Sequence, residues 1–288
     1  MGLNAALPMT QNINTTTPSD NPEPSSPQVQ PAKRVKPEKV KPEKNLYQPY
    51  YIPMFMWRTI RFFVRLFFAI FFDVHVTGQH NVPEAGKIII ASNHLSGVDV
   101  PLIPAYLKRR VIYMAKEETF KSRWGWLIRF LGAFPVRRGE ADRQSLRAAQ
   151  EQLKAGRIVC IFPEGTRSKI HTLGQAHAGM GMIALRSGAP VLPVAIWGSE
   201  YSFKKFRPRI HLVFGQPVTL APKGKKITRE DIDDATEQVM LHITSMLPPR
   251  YRGVYAEKLA AAESTAEDIS AIDPMQGTSG KTDTQGTS

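Results

Sequence analysis

From Asp73 to about Leu247 the chain alternates short apolar runs, rich in β-branched residues, with longer stretches whose apolar positions recur at helical spacing. Val74–Thr77, Lys87–Ala91, Val111–Ala115, Arg157–Phe162, Val191–Trp197 and Ile210–Phe214 are predicted strands. Val98–Lys108, Arg123–Leu131, Ala141–Lys154, Gly179–Ser187 and Thr228–Leu247 are predicted helices. This order predicts an α/β fold with helices on both faces of one sheet and functional residues at the carboxyl ends of strands. The pattern stops on either side. Residues 1–48 are a Pro-rich basic leader with almost no large apolar side chains, and 251–288 form a tail rich in Ser, Thr, Gly and Asp after Glu263. Neither can bury enough surface to offset its ordering entropy, so the leader and most of the tail are expected to be disordered.

Between leader and sheet, residues 49–72 have a character of their own. Met54–Phe72 holds seven of the chain's fourteen phenylalanines, with Trp57 and three arginines. Arg58, Arg61 and Arg65 follow i, i+3, i+7 spacing and so share one helical face. Nineteen helical residues extend about 28 Å, close to the hydrocarbon thickness of a bilayer. Insertion is nevertheless disfavoured. Eleven Leu, Ile, Val and Phe residues contribute roughly −3 to −7 kcal/mol, whereas three arginines cost up to about +7.5 to +10 kcal/mol. The expectation is a helix lying in the membrane interface with its arginines toward headgroups. Upstream, Lys33–Lys44 carries six basic and two acidic residues in a doubled Val-Lys-Pro-Glu-Lys unit, which would add a pull toward anionic lipid.

The whole chain shares that bias: over 288 residues its net charge is +13, which favours an anionic partner. A single cysteine, Cys160, excludes an internal disulfide and argues against a Cys-rich zinc site. No H-E-x-x-H, P-loop or G-x-S-x-G sequence is present. The first residues show neither a secretory signal nor the Ser or Thr of a myristoylation site, so a cytoplasmic-side protein is expected. Gly179-Met180-Gly181-Met182-Ile183-Ala184 mimics a nucleotide fingerprint, but no strand precedes it and Lys204 stands where an acid belongs. Close helix packing is the better reading of these glycines.

Two blocks carry the candidate chemistry. Asn93-His94-Leu95-Ser96-Gly97-Val98-Asp99 follows one predicted strand, and Phe162-Pro163-Glu164-Gly165-Thr166-Arg167-Ser168 follows another. Five residues do not close a helical turn, so His94 and Asp99 can meet only if His94 lies on a loop and Asp99 on the first turn of the next helix. Ser96-Gly97 and Pro101 permit that arrangement. Alone, the pair reads as readily as a helix cap beside a loop histidine. In the second block Gly165 allows an unusual turn, Thr166 supplies a hydroxyl, and Arg167 a planar fork suited to phosphate. Lys116 and the pair Arg137-Arg138 also follow short apolar runs and could converge on the same dianion. A base beside a phosphate clamp points to group transfer involving a hydroxyl on a phosphorylated substrate. The charge alone also fits a non-catalytic basic membrane or nucleic-acid binder, although the clustering of aromatics in one amphipathic stretch disfavours nucleic acid.

From about Val74 to Gly198 the chain resembles the lysophosphatidic acid acyltransferase family, within the phospholipid/glycerol acyltransferase superfamily. Asn93–Asp99 resembles its first motif, N-H-x-x-x-x-D, and Gly132–Arg138 its second. Phe162–Ser168 resembles the third, F-P-E-G-T-R-S, and Val191–Val194, with Pro193, the fourth. The resemblance implies a mixed β-sheet flanked by helices, an N-terminal membrane-docking helical segment and an acyltransferase domain over 73–250. It implies that His94 is the general base and Asp99 its partner. Glu164, Gly165, Thr166 and Arg167 would shape a substrate phosphate site, assisted by Arg138, Arg137 and Lys116. The implied reaction moves a fatty acyl group from acyl-CoA or acyl carrier protein to the sn-2 hydroxyl of 1-acylglycerol 3-phosphate, giving phosphatidate. Another lysophospholipid or glycerol 3-phosphate is the alternative acceptor. No metal or cofactor beyond the thioester co-substrate is expected. The implied setting is peripheral, on the cytoplasmic face of the membrane, with lysophosphatidate and an anionic lipid surface as partners.

Overall fold

The apolar runs pair into a sheet of seven strands: β1 Asp73–Thr77, β2 Ile88–Ser92, β3 Val111–Lys116, β4 Phe134–Val136, β5 Ile158–Ile161, β6 Val191–Trp197 and β7 Arg209–Phe214. The computed structural model describes residues 52–123, 125–130, 132–136, 143–202 and 204–272. The leader 1–48, Arg137, Arg138 and residues 273–288 lie outside that set. Strand order is β1-β7-β6-β2-β5-β3-β4. β2 runs parallel to β5 and β6, and β3 to β5 and β4. β6 and β7 are antiparallel while β1 is parallel to β7, so β1 and β7, at one end of the sheet, run against the other five. The sheet is mixed, as the resemblance implied.

Helices cover both faces: α1 Met54–Phe71, α2 Asp99–Ala105, α3 Glu117–Lys121, α4 Gly125–Phe130, α5 Arg143–Lys154, α6 Gly179–Ser187, α7 Arg229–Met246 and α8 Ala256–Ile272. Successive strand residues point to opposite faces, and β2 shows the result. Ile89 and Ala91 pack with Ala149 of α5, Ile183 of α6 and Val239 of α7. Ile88 and Ile90 pack on the other face with Phe68 of α1 and Leu102 of α2. Burial on both sides is why these strands read as unbroken apolar runs.

The glycines of the false nucleotide fingerprint serve packing. Gly181 lies in α6, and a Cβ there would stand 2.4 Å from the Ile232 carbonyl oxygen on α7. α7 is itself fixed at its start by a capping box, in which Thr228 and Asp231 exchange side-chain and backbone hydrogen bonds. Replacing Gly181 by Ala must therefore push two anchored helices apart. A loss of about 1–3 kcal/mol is expected, measured as a lower thermal unfolding midpoint. A midpoint equal to the parent's would disprove the tight α6–α7 contact.

Four sequence expectations need correction. α2 stops at Ala105 instead of Lys108, soon after Pro104, whose ring disfavours further helix. Glu117–Lys121 forms a helix ahead of the predicted Arg123–Leu131 stretch. β4 was not predicted: it is only three residues long, includes Pro135 and sits at the sheet edge, where a missing N–H is tolerated. The tail is ordered well past 251. Pro249–Tyr251 and Gly253–Tyr255 form short turns of helix, and α8 follows as an Ala-rich helix. Tyr251, Tyr255 and Leu259 are buried, which anchors the segment.

α1 is apolar on two sides. Trp57 and Phe68 are buried toward the domain, while Phe55, Phe62, Phe63, Leu66, Phe67 and Ile70 are exposed on the opposite arc. The arginines occupy the flank between, and two of them face the protein rather than standing free. Arg61 donates to the Leu107 carbonyl, and the Arg65 guanidinium lies 5.3 Å over the Tyr106 ring. No helix among the described residues is long and apolar enough to cross a membrane.

Candidate active site at the carboxyl edge of the sheet

β2 ends at Ser92, and the next residue fixes the loop that follows. The Asn93 side-chain amide donates to the Ile196 carbonyl at 2.7 Å and accepts from the Ile196 N–H at 2.8 Å. This double bond to β6 replaces strand pairing where β2 has ended. It holds the chain still just before His94. The sequence signals only that Asn93 belongs to the first motif; its clamp on β6 requires the fold.

His94 and Asp99 do meet. His94 Nδ1 lies 2.9 Å from Asp99 Oδ2, and the same oxygen accepts the N–H groups of Leu95 at 2.8 Å and Ser96 at 2.7 Å. Asp99 is fully buried on the first turn of α2 and points back over the loop. It is thus neither an ordinary cap nor a partner to the histidine alone; it folds the loop that carries the histidine. An ionised carboxylate can only accept, so Nδ1 carries the proton and Nε2 presents its lone pair. The His94 ring stacks on Phe162 at 4.1 Å and 19°, which sets the plane in which that lone pair points.

The third motif is tied to the first by backbone contacts. Ser168 N–H donates to the His94 carbonyl at 2.9 Å, and the Arg167 guanidinium reaches Gly97, 3.9 Å from where a Cβ would stand. Gly165 has φ +68° and closes a turn onto the Phe162 carbonyl, a conformation that favours glycine. Thr166 and Arg167 are exposed at the mouth of the site. Glu164 behaves differently from the expectation that it would line a phosphate site. It is buried, and its two oxygens accept the His94 N–H at 3.0 Å and the Gly174 N–H at 2.8 Å. Burial raises its pKa, and these two hydrogen bonds pull against that rise. It braces the His94 loop against the segment after Arg167.

Lys116 stands at the end of β3, two strands from β2, and pairs with Glu118 at 3.4 Å. The structure does not bring it to His94. Arg137 and Arg138 fall outside the described residues. Cys160 is buried mid-strand, with its thiol pKa raised by burial, and has no access to a substrate.

One contributor escaped the sequence reading. The Leu173 N–H donates to the Tyr251 carbonyl at 2.9 Å, and the Val254 N–H to the Leu173 carbonyl at 3.2 Å. The Ala176 N–H donates to the Tyr255 hydroxyl at 3.2 Å. The Tyr251 hydroxyl donates to the buried Glu200 at 2.5 Å and receives a hydrogen bond from Arg250 at 2.7 Å. The C-terminal segment therefore clasps the loop that carries Glu164 and Arg167. The spacing of Tyr251, Tyr255 and Leu259 is the signal that marks it, diluted by the polar residues around it.

Comparison with known proteins points to one enzyme family. The acyltransferase family profile matches residues 73–197, a stretch that begins at β1 and ends at β6. A 1-acyl-sn-glycerol-3-phosphate acyltransferase from Bacillus subtilis is 31% identical over 176 residues, 60% of this chain and 87% of its own length. A lyso-ornithine lipid O-acyltransferase from Pseudomonas aeruginosa is 35% identical over 136 residues, 46% of this chain and half of its own length. Among solved structures, the 1-acyl-sn-glycerophosphate (LPA) acyltransferase PlsC from Thermotoga maritima superposes with a TM-score of 0.53 at 31% identity. The match covers 67% of this chain and 80% of that one.

Proposed function

The chain belongs to the 1-acyl-sn-glycerol-3-phosphate acyltransferase family, and from that premise we propose that it acylates the sn-2 hydroxyl of 1-acylglycerol 3-phosphate with His94 as general base. The observation that carries this reading is the His94–Asp99 pair, with a free Nε2, beside the exposed Arg167. Nε2 takes the proton from the acceptor hydroxyl as its oxygen attacks the thioester carbonyl of acyl-CoA or acyl carrier protein. A carbon–oxygen bond forms, the carbon–sulfur bond breaks, and His94 returns the proton to the leaving thiolate. Asp99 stabilises the imidazolium in between. Arg167 and Thr166 face the acceptor phosphate, and an ester and a free thiol leave the site.

An apolar cavity between α1 and α2, lined by Trp57, Val64, Pro101, Pro104 and Tyr113, supports a substrate with a fatty chain. The exposed aromatic arc of α1 supports attachment to one leaflet without spanning.

The likeness to the lyso-ornithine lipid enzyme favours a second reading, in which the acceptor carries no phosphate. Purified protein, labelled acyl-CoA and acyl carrier protein, and a panel of 1-acylglycerol 3-phosphate, glycerol 3-phosphate and lyso-ornithine lipid separate the two. Arg167→Ala is expected to lower kcat/KM for the phosphorylated acceptor roughly 10–150-fold, the scale of a charge-assisted contact, and to spare the thioester KM. Equal losses toward donor and acceptor would remove Arg167 from the phosphate site. Faster turnover of the lyso-ornithine lipid would establish the second reading.

A further inference from the structure

Large apolar side chains exposed among the described residues are not scattered. Eight lie on α1, from Met54 to Phe71; apart from Ile227 and Val254, the remaining three are Trp126, Ile170 and Phe206. Those three share a topological position. β3, β5 and β6 all run parallel to β2, so the loops that leave their carboxyl ends emerge at the edge that carries His94. Trp126 follows β3, Ile170 follows β5 and Phe206 follows β6. Phe206, at 83%, is the most exposed large apolar side chain of the set, and Ile170, at 79%, comes next. Soluble surfaces tolerate single exposed apolar residues, but a cluster on one edge marks an interaction site.

Basic residues accompany two of the three. Lys169 precedes Ile170, and Lys204, Lys205 and Arg207 surround Phe206, all exposed. The loop is built to hold this presentation. Lys204 and Lys205 N–H groups both bond the Tyr201 carbonyl, and the Lys205 ammonium sits 4.8 Å over the Tyr201 ring. Arg207 adopts φ +48°, a left-handed conformation that strains a non-glycine residue and turns the chain sharply after Phe206. Two links join this loop to the His94 loop and to α1. Ser202 Oγ lies 3.0 Å from Ser96 Oγ in the catalytic loop, and the Asp73 N–H at the exit of α1 donates to the Pro208 carbonyl at 3.2 Å.

We propose that Phe206 and Ile170, flanked by Lys204, Lys205, Arg207 and Lys169, form a second lipid-contact surface that seats the His94 edge on an anionic leaflet. Apolar tips enter the acyl boundary and the cations meet lipid phosphates, as the charge pattern requires. Together with α1 this surface gives two separate contacts, which fix the tilt of the domain on the membrane. The proposal rests on the docking role given to α1 but extends to residues outside the catalytic machinery.

The test uses the full chain and one introduced thiol at a time, labelled with an environment-sensitive fluorophore. The native Cys160 is buried and stays unlabelled in the folded protein. The sites are Phe206→Cys, Ile170→Cys, Phe63→Cys on α1, and Glu84→Cys in the connection that enters β2 from the opposite edge. Vesicles of phosphatidylglycerol and phosphatidylcholine, with brominated chains as quencher, should shift and quench the probe at 206, 170 and 63 but leave 84 in water. In a second arm, Lys204→Gln/Lys205→Gln should weaken binding to phosphatidylglycerol vesicles roughly 10–30-fold at low salt and much less at high salt. Turnover of a short-chain, water-soluble acceptor should stay unchanged. Quenching at 63 with water-like spectra at 206 and 170 would overturn the proposal and leave the α1 attachment standing. Water-like spectra at all four sites would overturn both.

Discussion

Replacing His94 by Ala should lower acyl transfer by about 10²–10⁴-fold or more while leaving a folded protein, because it removes the base proposed to take the acceptor proton. The geometry makes the expectation specific. Asp99 holds Nδ1, and Phe162 sets the ring plane, so the imidazole has a single direction in which to act. The loop survives without the ring because its shape depends on bonds from Asp99 to the Leu95 and Ser96 N–H groups and from Glu164 to the His94 N–H, none of which uses the imidazole. The measurement is single-turnover acyl transfer alongside circular dichroism and thermal unfolding. Near-normal turnover in folded protein would end the assignment of His94 as base.

Asp99→Asn should cost comparable activity, about 10²–10⁴-fold, and also stability. Oδ2 accepts from three donors at once, and Asp99 is fully buried. An amide oxygen can stand in the same place, but it cannot neutralise the imidazolium that forms as the acceptor attacks. It also exchanges charged hydrogen bonds for neutral ones and places an NH₂ group where Oδ1 already lacks a partner among the described residues. A loss of about 1–3 kcal/mol is expected on that ground, read from denaturant unfolding. The two substitutions therefore separate chemistry from architecture: the first should strike mainly turnover, the second turnover and folding together. An Asp99→Asn protein as stable as the parent would show that the loop does not depend on this carboxylate.

How far these features were legible differs by residue. β2, β5 and β6 were readable because both of their faces are covered, which writes an apolar run into the sequence. α6 and α7 were readable from the helical spacing of their apolar residues, and the rejected nucleotide fingerprint resolved into the Gly181 contact on α7. β4 was hidden because three residues with a proline carry no period. The expected tail hid an ordered clasp because Tyr251 and Tyr255 act through backbone bonds and hydroxyls, which leave no periodic trace in a polar stretch. At the site, the turn residues Ser96-Gly97 and the position of Pro101 permitted Asp99 to lie opposite His94, and only the motif resemblance singled the pair out; the fold brings the two together. Glu164 was read through its motif as part of a phosphate site; that its two oxygens turn to backbone amides follows from burial, which spacing does not reveal. Lys116 shared the right edge but stood two strands away, a distance that strand order sets and sequence spacing does not.

Between the last residue of α1 and the first of β1 there is one residue, Phe72, and it is buried. A flexible tether would let a helix and a sheet sample many relative orientations, each lost in part when both meet a surface. With Phe72 locked in the core, no such freedom exists to lose. The aromatic helix and the histidine loop must tilt, approach and retreat as one rigid lever, so any force that reorients α1 is felt at His94 without delay or slack.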